Sequence, residues 1–243
     1  MSRILSHNYE AHQAKLNQAA RDFFPHDHFP ETSRPKVGQR VVVLDVETTG
    51  LNPEGGDRIV QMCVADATPF LTRKSADVHT LEAKLNPEMP IPREATKIHG
   101  IRDKDVANAP FFADEIDQFL DFIGDAIVVG HNVSFDLRFL NAELARMGRD
   151  PIRPVTFCTL QESREAFSLP NYRLATVAGF VGHKIRRAHN AVDDALATVA
   201  VFSALMQLSD WDNEIKESGL SFWNLVSIAF VIYAAGSLLM WAL

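Results

Sequence analysis

The stretch VVVLDVETTG, from Val41 to Gly50, places two acids at the end of a short apolar run. The run is rich in β-branched residues and is followed by Thr-Thr-Gly, which is typical of a buried strand that ends in a turn. Residues two apart on a strand project to the same side, so Asp45 and Glu47 would present their carboxylates together. Buried carboxylates must be neutralised, hydrogen-bonded or bound to metal. The stretch predicts a central strand that carries a polar site, although a solvated strand end would fit the triplet taken alone.

Outward from this strand, short apolar runs alternate with segments of helical periodicity. The predicted further strands are Ile59 to Ala67, Val78 to Leu85 and Ile127 to Gly130, and the predicted helices are Phe112 to Ile123, Phe135 to Met147 and Ala191 to Leu208. Strands that alternate with helices are typical of the α/β class. We therefore predict one α/β domain over residues 40–208, a length that allows one sizeable core.

The composition excludes several classes of protein. The chain has 243 residues, of which 47% are hydrophobic, and this share is that of folded proteins rather than disordered ones. Its formal net charge is −7, so it does not coat nucleic acid through bulk positive charge. It contains 2 Cys, which argues against a disulfide scaffold and fits a reducing compartment. A nucleic acid would have to be bound locally.

The two ends of the chain differ from this domain. Residues 219–243 are apolar and uncharged, with Trp223 and Trp241 near their ends, and we predict a transmembrane helix there after a short acidic linker at 209–218. A helix packed on a partner is the alternative. Residues 1–39 predict an amphipathic helix and a proline-rich linker, without the apolar core of a secretory signal. We therefore expect a single-pass membrane protein with its α/β domain on the cytoplasmic side.

A second group of polar residues follows the strand that ends at Gly130. It has the sequence His-Asn-Val-Ser-Phe-Asp, from His131 to Asp136. On a helix that begins near Asn132, residues Asn132, Phe135 and Asp136 would share one face. The alternative is that Asn132 or Ser134 caps the helix and that Asp136 only favours its positive end.

A third group begins the last long helix of the domain. It has the sequence His-Asn-Ala-Val-Asp-Asp-Ala, from His189 to Ala195. A His beside acids suits proton transfer. Asp193 and Asp194 would also be favourable in any first helical turn, and the spacing alone does not decide which of them points inward.

The three groups, in this order, resemble the histidine subtype of the DEDD superfamily of 3′-to-5′ exonucleases, which includes the epsilon proofreading subunit of bacterial DNA polymerase III. The resemblance covers residues 40–208 and implies a ribonuclease H-like fold, in which helices flank a mixed sheet. The final acid of the family lies five residues after the His and precedes Ala, which selects Asp194. The resemblance also implies hydrolysis of single-stranded nucleic acid, DNA in preference to RNA, to nucleoside 5′-monophosphates.

The resemblance assigns roles to individual positions. Asp45, Glu47, Asp136 and Asp194 would hold two divalent cations, and His189 would be the general base. Hard carboxylate oxygens suit Mg²⁺ or Mn²⁺, and each cation offsets the repulsion within the cluster. Five further positions would contact the substrate: Thr48, Leu51, His99, Asn132 and Phe135.

The partners remain open between alternatives. The segment from Arg138 to Arg187 is rich in arginine, which suits phosphate contacts. The apolar C-terminal segment suits a lipid bilayer, whereas docking of the same segment on a polymerase would make the protein a proofreading subunit. A homodimer would be compatible with either arrangement. A third alternative is a non-catalytic membrane tether that only binds nucleic acid.

Overall fold

The computed structural model describes residues 33–72 and 77–218, and within them a five-stranded mixed sheet is the central layer. The strands are β1 (Val41–Thr48), β2 (Ile59–Asp66), β3 (Thr80–Lys84), β4 (Ile127–Gly130) and β5 (Thr156–Cys158). Their order across the sheet is β3-β2-β1-β4-β5. Strands β1, β4 and β5 are parallel, whereas β2 runs antiparallel to β1 and to β3.

Helices cover both faces of the sheet. They are α1 (Arg93–His99), α2 (Asp103–Val106), α3 (Phe112–Ile123), α4 (Val133–Arg146), α5 (Thr159–Ala166), α6 (Leu174–Phe180) and α7 (Ala191–Ser218). The alternation of β1 divides the core between the two faces. Val41 and Val43 join the apolar cluster that includes buried residues of α6 and α7, whereas Val42 and Leu44 join the cluster that includes α3 and α4.

The predicted strands and helices are found close to their expected positions. Strand β4 has the predicted bounds. Strand β1 extends two residues beyond Val46, the end of the predicted strand, so it includes Glu47. Helix α4 begins at Val133 rather than at Phe135, because it starts directly after the left-handed residue Asn132. The mixed sheet flanked by helices is the predicted architecture.

The last helix is longer than predicted. Helix α7 continues past Leu208 to Ser218, so the backbone at 209–218 is helical where we predicted a short acidic linker. Because a helix rises only about 1.5 Å per residue, these ten positions span about 15 Å rather than the ~35 Å of an extended chain. We predicted the break at the onset of the acidic residues, but acidic residues do not by themselves end a helix.

Helix α7 also passes a simple test for membrane spans. Within the described ranges, Ala191–Leu208 is the one helical segment long and apolar enough to cross a membrane, with a mean hydropathy of 1.4. More than half of it is buried inside the domain, where Ala195 and Phe202 pack among the residues of the first cluster. It is therefore the core helix of the α/β domain. The predicted transmembrane helix at 219–243 and the predicted N-terminal helix lie outside the described residues.

Candidate active site

The two acids of β1 point toward α7. Asp45 and Glu47 continue the alternation of Val41 and Val43, so they lie on the face of the sheet that α7 covers. Glu47 is only 9% exposed, so its carboxylate is largely removed from solvent. The apolar strand thus carries its carboxylates into a partly enclosed space at the carboxyl ends of the parallel strands.

The first turn of α7 brings the third group to the same place. The backbone N–H of His189 donates to Oδ2 of Asp194 across 2.9 Å, and the backbone of His189 is left-handed, with φ of 61°. Asp193 instead accepts a hydrogen bond from Nε of Arg187 at 2.8 Å. The structure therefore separates two acids that the spacing left equivalent: Asp194 joins the acids of β1, and Asp193 pairs with the loop before the helix.

Asp136 comes from α4, on the other side of β1. Its side chain is 5% exposed, and its Oδ1 accepts a hydrogen bond from the backbone N–H of Val46 at 3.0 Å. Helix α4 can start this close to β4 because residue 130 is Gly, where a Cβ atom would lie 2.9 Å from Val133. Asn132 has a left-handed backbone, with φ of 82°, and its side chain makes no capping hydrogen bond. Capping by Asn132, one of the alternatives for this group, is therefore wrong.

The acids are close enough to change one another's ionisation. Burial raises the pKa of Asp45 well above its usual value, and the charges of Asp136, Asp194 and Glu47 raise it further. Burial, followed by the charges of Asp194 and Asp136, raises the pKa of Glu47 to about 8. Burial also raises the pKa of Asp136 and of Asp194, against hydrogen bonds from backbone N–H groups that lower both. Four ionised carboxylates at this site therefore require compensating positive charge.

This donor set fits divalent cations. One ligand atom each from Glu47, His189 and Asp194 lies within 4.8 Å of the others, which is the spacing needed to share an ion. The group consists mainly of carboxylate oxygens, the ligands that Mg²⁺ and Mn²⁺ prefer. Asp45 and Asp136 line the same pocket as these three residues and add two more carboxylates to the group.

One open pocket of about 400 Å³ contains the whole predicted set. Its lining includes all ten predicted site residues, which come from four separate segments of the chain: Asp45, Glu47, Thr48, Leu51, His99, Asn132, Phe135, Asp136, His189 and Asp194. The lining also includes Ile98 and His131, which the sequence analysis did not single out. Ile98 is 56% exposed, and its position next to His99 in the sequence was the available signal.

The loop after β1 presents Leu51 at the pocket. Leu51 is 75% exposed, and its loop is held by Asp57, which accepts hydrogen bonds from Thr49 and from the backbone N–H of Asn52. Residue 50 is Gly because any Cβ atom there would collide with the carboxylate of Asp57. The Thr-Thr-Gly-Leu sequence is thus a tight, fixed turn that holds an apolar side chain outward.

Two histidines at the pocket are held as neutral rings. Nδ1 of His99 accepts a hydrogen bond from the backbone N–H of Ile101 at 3.0 Å, and the backbone of Thr48 lies within hydrogen-bond reach of the same ring. Burial lowers the pKa of His99. His131 lies between Thr159 and the carbonyl of Tyr172, at 3.0 and 2.8 Å, and burial lowers its pKa as well. The backbone of the neighbouring loops therefore fixes the ring of His99 at the pocket, whereas His131 is a structural link.

Part of the arginine-rich segment has structural partners rather than open side chains. Four of its arginines contact acids or carbonyls within the domain: Arg138 with Leu51 and Glu54, Arg146 with Glu143 and Asp57, Arg149 with Asp117, and Arg187 with Asp193. The predicted phosphate contacts therefore rest on the other basic residues of the segment, such as Lys184 and Arg186, which are exposed.

The carboxylate cluster predicts a pH-dependent stability. The pKa of Glu47 rises from 4.5 to about 8 on folding. Its contribution to the free energy of unfolding is therefore full below pH 4.5 and is lost as the pH rises through about 8. Without divalent cations, we expect the melting temperature to be lower at about pH 8.5 than at about pH 6, by ~3 °C or more. Thermal melts in chelator measure this difference. Mg²⁺ should remove most of this difference in melting temperature, and Glu47→Gln should reduce it. An equal difference for the wild-type protein in chelator, the wild-type protein in Mg²⁺ and the Glu47→Gln protein in chelator would contradict the prediction.

Comparison with known proteins identifies the family. The family model described as Exonuclease matches residues 42–202. The epsilon subunit of DNA polymerase III from Rickettsia conorii is 35% identical over 173 residues, which cover 69% of this chain and 74% of that protein. The Salmonella typhimurium epsilon subunit is 32% identical, with 68% and 71% covered. A PolC-type DNA polymerase III from Caldanaerobacter subterraneus is 34% identical, and the matched part spans 11% of that protein.

Solved structures agree on the fold. Exonuclease X in complex with 5′ overhanging duplex DNA superposes with a TM-score of 0.54 at 23% identity, over 70% of this chain and 93% of that chain. E. coli Exonuclease I in complex with a dT13 oligonucleotide gives a TM-score of 0.59 at 19% identity, over 71% of this chain and 43% of that chain. The ribonuclease H-like exonuclease fold is thereby confirmed. The matched family region contains all ten predicted site residues, and the chain accordingly belongs to the exonuclease family, as a 3′-to-5′ exonuclease of the DEDD superfamily.

Proposed function

We propose that the protein removes nucleotides from the 3′ end of single-stranded nucleic acid, with two divalent cations bound by Asp45, Glu47, Asp136 and Asp194. The observation that carries this proposal is the convergence of ten residues from distant segments on one pocket. His189 is the fifth member of the catalytic group, which makes the protein a histidine-subtype enzyme. DNA is the favoured substrate, because the similar epsilon subunits are named as parts of a DNA polymerase.

The proposed reaction is hydrolysis of the terminal phosphodiester. A water oxygen forms a bond to phosphorus, and the bond from phosphorus to the 3′ oxygen of the preceding nucleotide breaks. The products are a nucleoside 5′-monophosphate and a strand with a new 3′-hydroxyl. Asp45, Glu47, Asp136 and Asp194 would hold the two cations, which would supply positive charge to offset the charge on the attacking and leaving oxygens. His189, an exposed residue at the pocket, accepts the proton of the water.

The pocket wall suits an unpaired terminal base. Leu51 and Ile98 are large, exposed apolar side chains, and Phe135 packs against Phe139 with ring centroids 4.9 Å apart. Apolar and aromatic walls bind bases through their faces without sequence preference. The ring of His99 and the hydroxyl of Thr48, which both line the pocket, provide polar contacts for the sugar-phosphate. These residues hold the 3′ end so that its last phosphodiester lies at the carboxylates.

The role of His189 is tested by comparing two histidines of one loop. We expect His189→Ala to lower kcat on single-stranded DNA by about 100-fold or more, because proton transfer by a positioned base contributes about that factor. His183→Ala is the matched control, since His183 does not line the pocket and should retain activity. The measurement is a steady-state rate with chromatographic identification of the released nucleotides. Equal rates for the two variants, or products with 3′-phosphates, would contradict the assignment.

We further propose that the C-terminal segment anchors the enzyme in a membrane, with the catalytic domain on the cytoplasmic side. The support is the sequence from Leu220 to Leu243, which has no charged residue and would be about 36 Å long as a helix. Flotation of the full chain with lipid vesicles, compared with a chain that ends after Ser218, tests the anchor. The full chain should float and the shortened chain should not; flotation of both or of neither would contradict the proposal.

A polymerase subunit is the second candidate for the biological context, because two of the similar proteins are epsilon subunits of DNA polymerase III. In that case the apolar C-terminal segment would dock on a soluble partner instead of lipid. The two candidates differ in one property of the purified full chain. An anchored enzyme stays with detergent micelles, whereas a subunit leaves them when its polymerase is added.

A further inference from the structure

We infer that Gln61, which lies outside the three polar groups, and Asn190, to which no role has been assigned, form a pair of positioning residues for the catalytic site. The inference rests on the proposed function and extends it to residues that do not themselves contact the reacting atoms. It concerns a link between the middle of the sheet and the short segment that carries His189 and Asp194. This segment needs such a link, because His189 has a left-handed backbone that a residue with a side chain rarely adopts.

Gln61 is a polar residue in the interior of the sheet. It lies on β2 directly opposite Glu47 and is 3% exposed. Because opposite residues of an antiparallel pair project to the same side, its carboxamide lies beside the carboxylate of Glu47. Burying an amide is costly unless it is hydrogen-bonded, so the partners of Gln61 identify its role.

Those partners belong to the start of α7. Oε1 of Gln61 accepts hydrogen bonds from Nδ2 of Asn190 at 3.3 Å and from the backbone N–H of Ala191 at 3.4 Å. The N–H of Ala191 is one of the first amides of the helix, which have no partner within the helix itself. Gln61 therefore fixes the point at which α7 begins relative to β2 and to Glu47.

Asn190 completes the link on the helix side. Its Oδ1 accepts a hydrogen bond from the backbone N–H of Asp193 at 3.3 Å, which is the arrangement of a helix N-cap. Its carbonyl accepts a hydrogen bond from the N–H of Asp194 at 2.9 Å. One side chain thus caps the helix and binds the sheet. His189 directly precedes this residue, so the Gln61–Asn190 pair places both His189 and Asp194 against the acids of β1.

The test replaces the acceptor of the pair while keeping its volume. Gln61→Met in the full chain, purified in detergent, should lower kcat on single-stranded DNA by about 10–100-fold, the usual effect of removing a group that orients metal ligands. The KM for DNA should change by less than about threefold, because the pair does not line the substrate wall. The affinity for Mn²⁺, measured by calorimetry, should fall in parallel. Gln118→Met, an exposed substitution of the same kind on α3, is the matched control and should change neither quantity.

A second variant keeps the test decisive if Gln61→Met does not fold. Asn190→Ser retains a good N-cap but cannot reach Gln61, so it should show the same loss of kcat at an unchanged KM. The double variant should be little worse than either single one, since both remove the same link. A folded Gln61→Met or Asn190→Ser protein with wild-type kcat and Mn²⁺ affinity would overturn the inference and leave the proposed function intact. A wild-type protein that neither binds Mn²⁺ nor hydrolyses DNA would overturn both.

Discussion

Asp194→Asn is expected to lower kcat on single-stranded DNA by ~10³-fold or more, whereas Asp193→Asn is expected to retain activity within about fivefold. The two residues are neighbours in the first turn of α7, and the substitutions are chemically identical. Only Asp194 lies with Glu47 and His189 at the pocket. Asp193 does not line the pocket, and it pairs with Arg187, a partner whose side chain is 72% exposed while that of Asp193 is 11% exposed.

Comparing these two variants distinguishes a catalytic role of Asp194 from the general effect of removing a negative charge. Both variants remove one negative charge from the same turn, so a change in helix stability would affect them alike. The rates are measured with saturating Mg²⁺, and Asp45→Asn serves as a second loss-of-function variant from a different strand. Activity in Asp194→Asn at the level of Asp193→Asn would show that the acids of the pocket are not the catalytic group.

Glu143→Ala is expected to lower the free energy of unfolding by about 3–5 kcal/mol. Glu143 lies on α4 with a side chain that is 2% exposed, and its carboxylate accepts hydrogen bonds from Nε of Arg58 at 2.9 Å and from the N–H of Ile59 at 3.2 Å. Arg146 adds a third contact at 3.3 Å. Truncation would leave two arginines without their shared anion and a buried amide without an acceptor, besides a cavity. Urea unfolding of the full chain in detergent measures the loss.

Asp117→Ala is the control for this second prediction. Asp117 also forms an ion pair, with Arg149 at 2.6 Å, but its side chain is 77% exposed. Its removal should cost less than ~1 kcal/mol. Similar losses for the two variants would contradict the role of Glu143 as the buried anion that joins α4 to the start of β2.

The sequence predicted the elements whose patterns are local. The apolar run before Asp45 and the apolar run that ends at Gly130 each specify a buried strand by themselves, and the three polar groups lie at the ends of such elements. Residues two apart on β1 had to share a face. For these reasons the resemblance assigned ten residues that the fold does bring to one pocket.

The remaining features depend on contacts between distant segments, which no local pattern reports. Spacing could not distinguish Asp193 from Asp194, because the choice is made by Arg187 and by the sheet. Glu143 looks like any acid on a helix until Arg58 and Ile59 are placed beside it. Gln61 looks like a polar interruption of a strand, and its partner Asn190 is far away in the chain.

The end of α7 shows a further limit of predicting helix boundaries from the sequence. We predicted that this helix ends near Leu208, where the apolar pattern gives way to acidic residues, but the helix continues to Ser218. A change in composition ends the apolar pattern without ending the backbone hydrogen bonds. A boundary drawn from the apolar pattern therefore does not mark where the helix stops.

The central claim is that the carboxylates of the pocket form a metal-dependent centre that shortens nucleic acid from its 3′ end. The most direct test incubates the full chain in detergent with 5′-labelled single-stranded DNA and RNA in Mg²⁺, in Mn²⁺ and in chelator, beside Asp194→Asn. The account predicts a ladder of products shortened one nucleotide at a time from the 3′ end, only with metal and only with the wild-type chain. DNA and RNA that stay intact with both metals, or cleavage that persists in chelator, would contradict it.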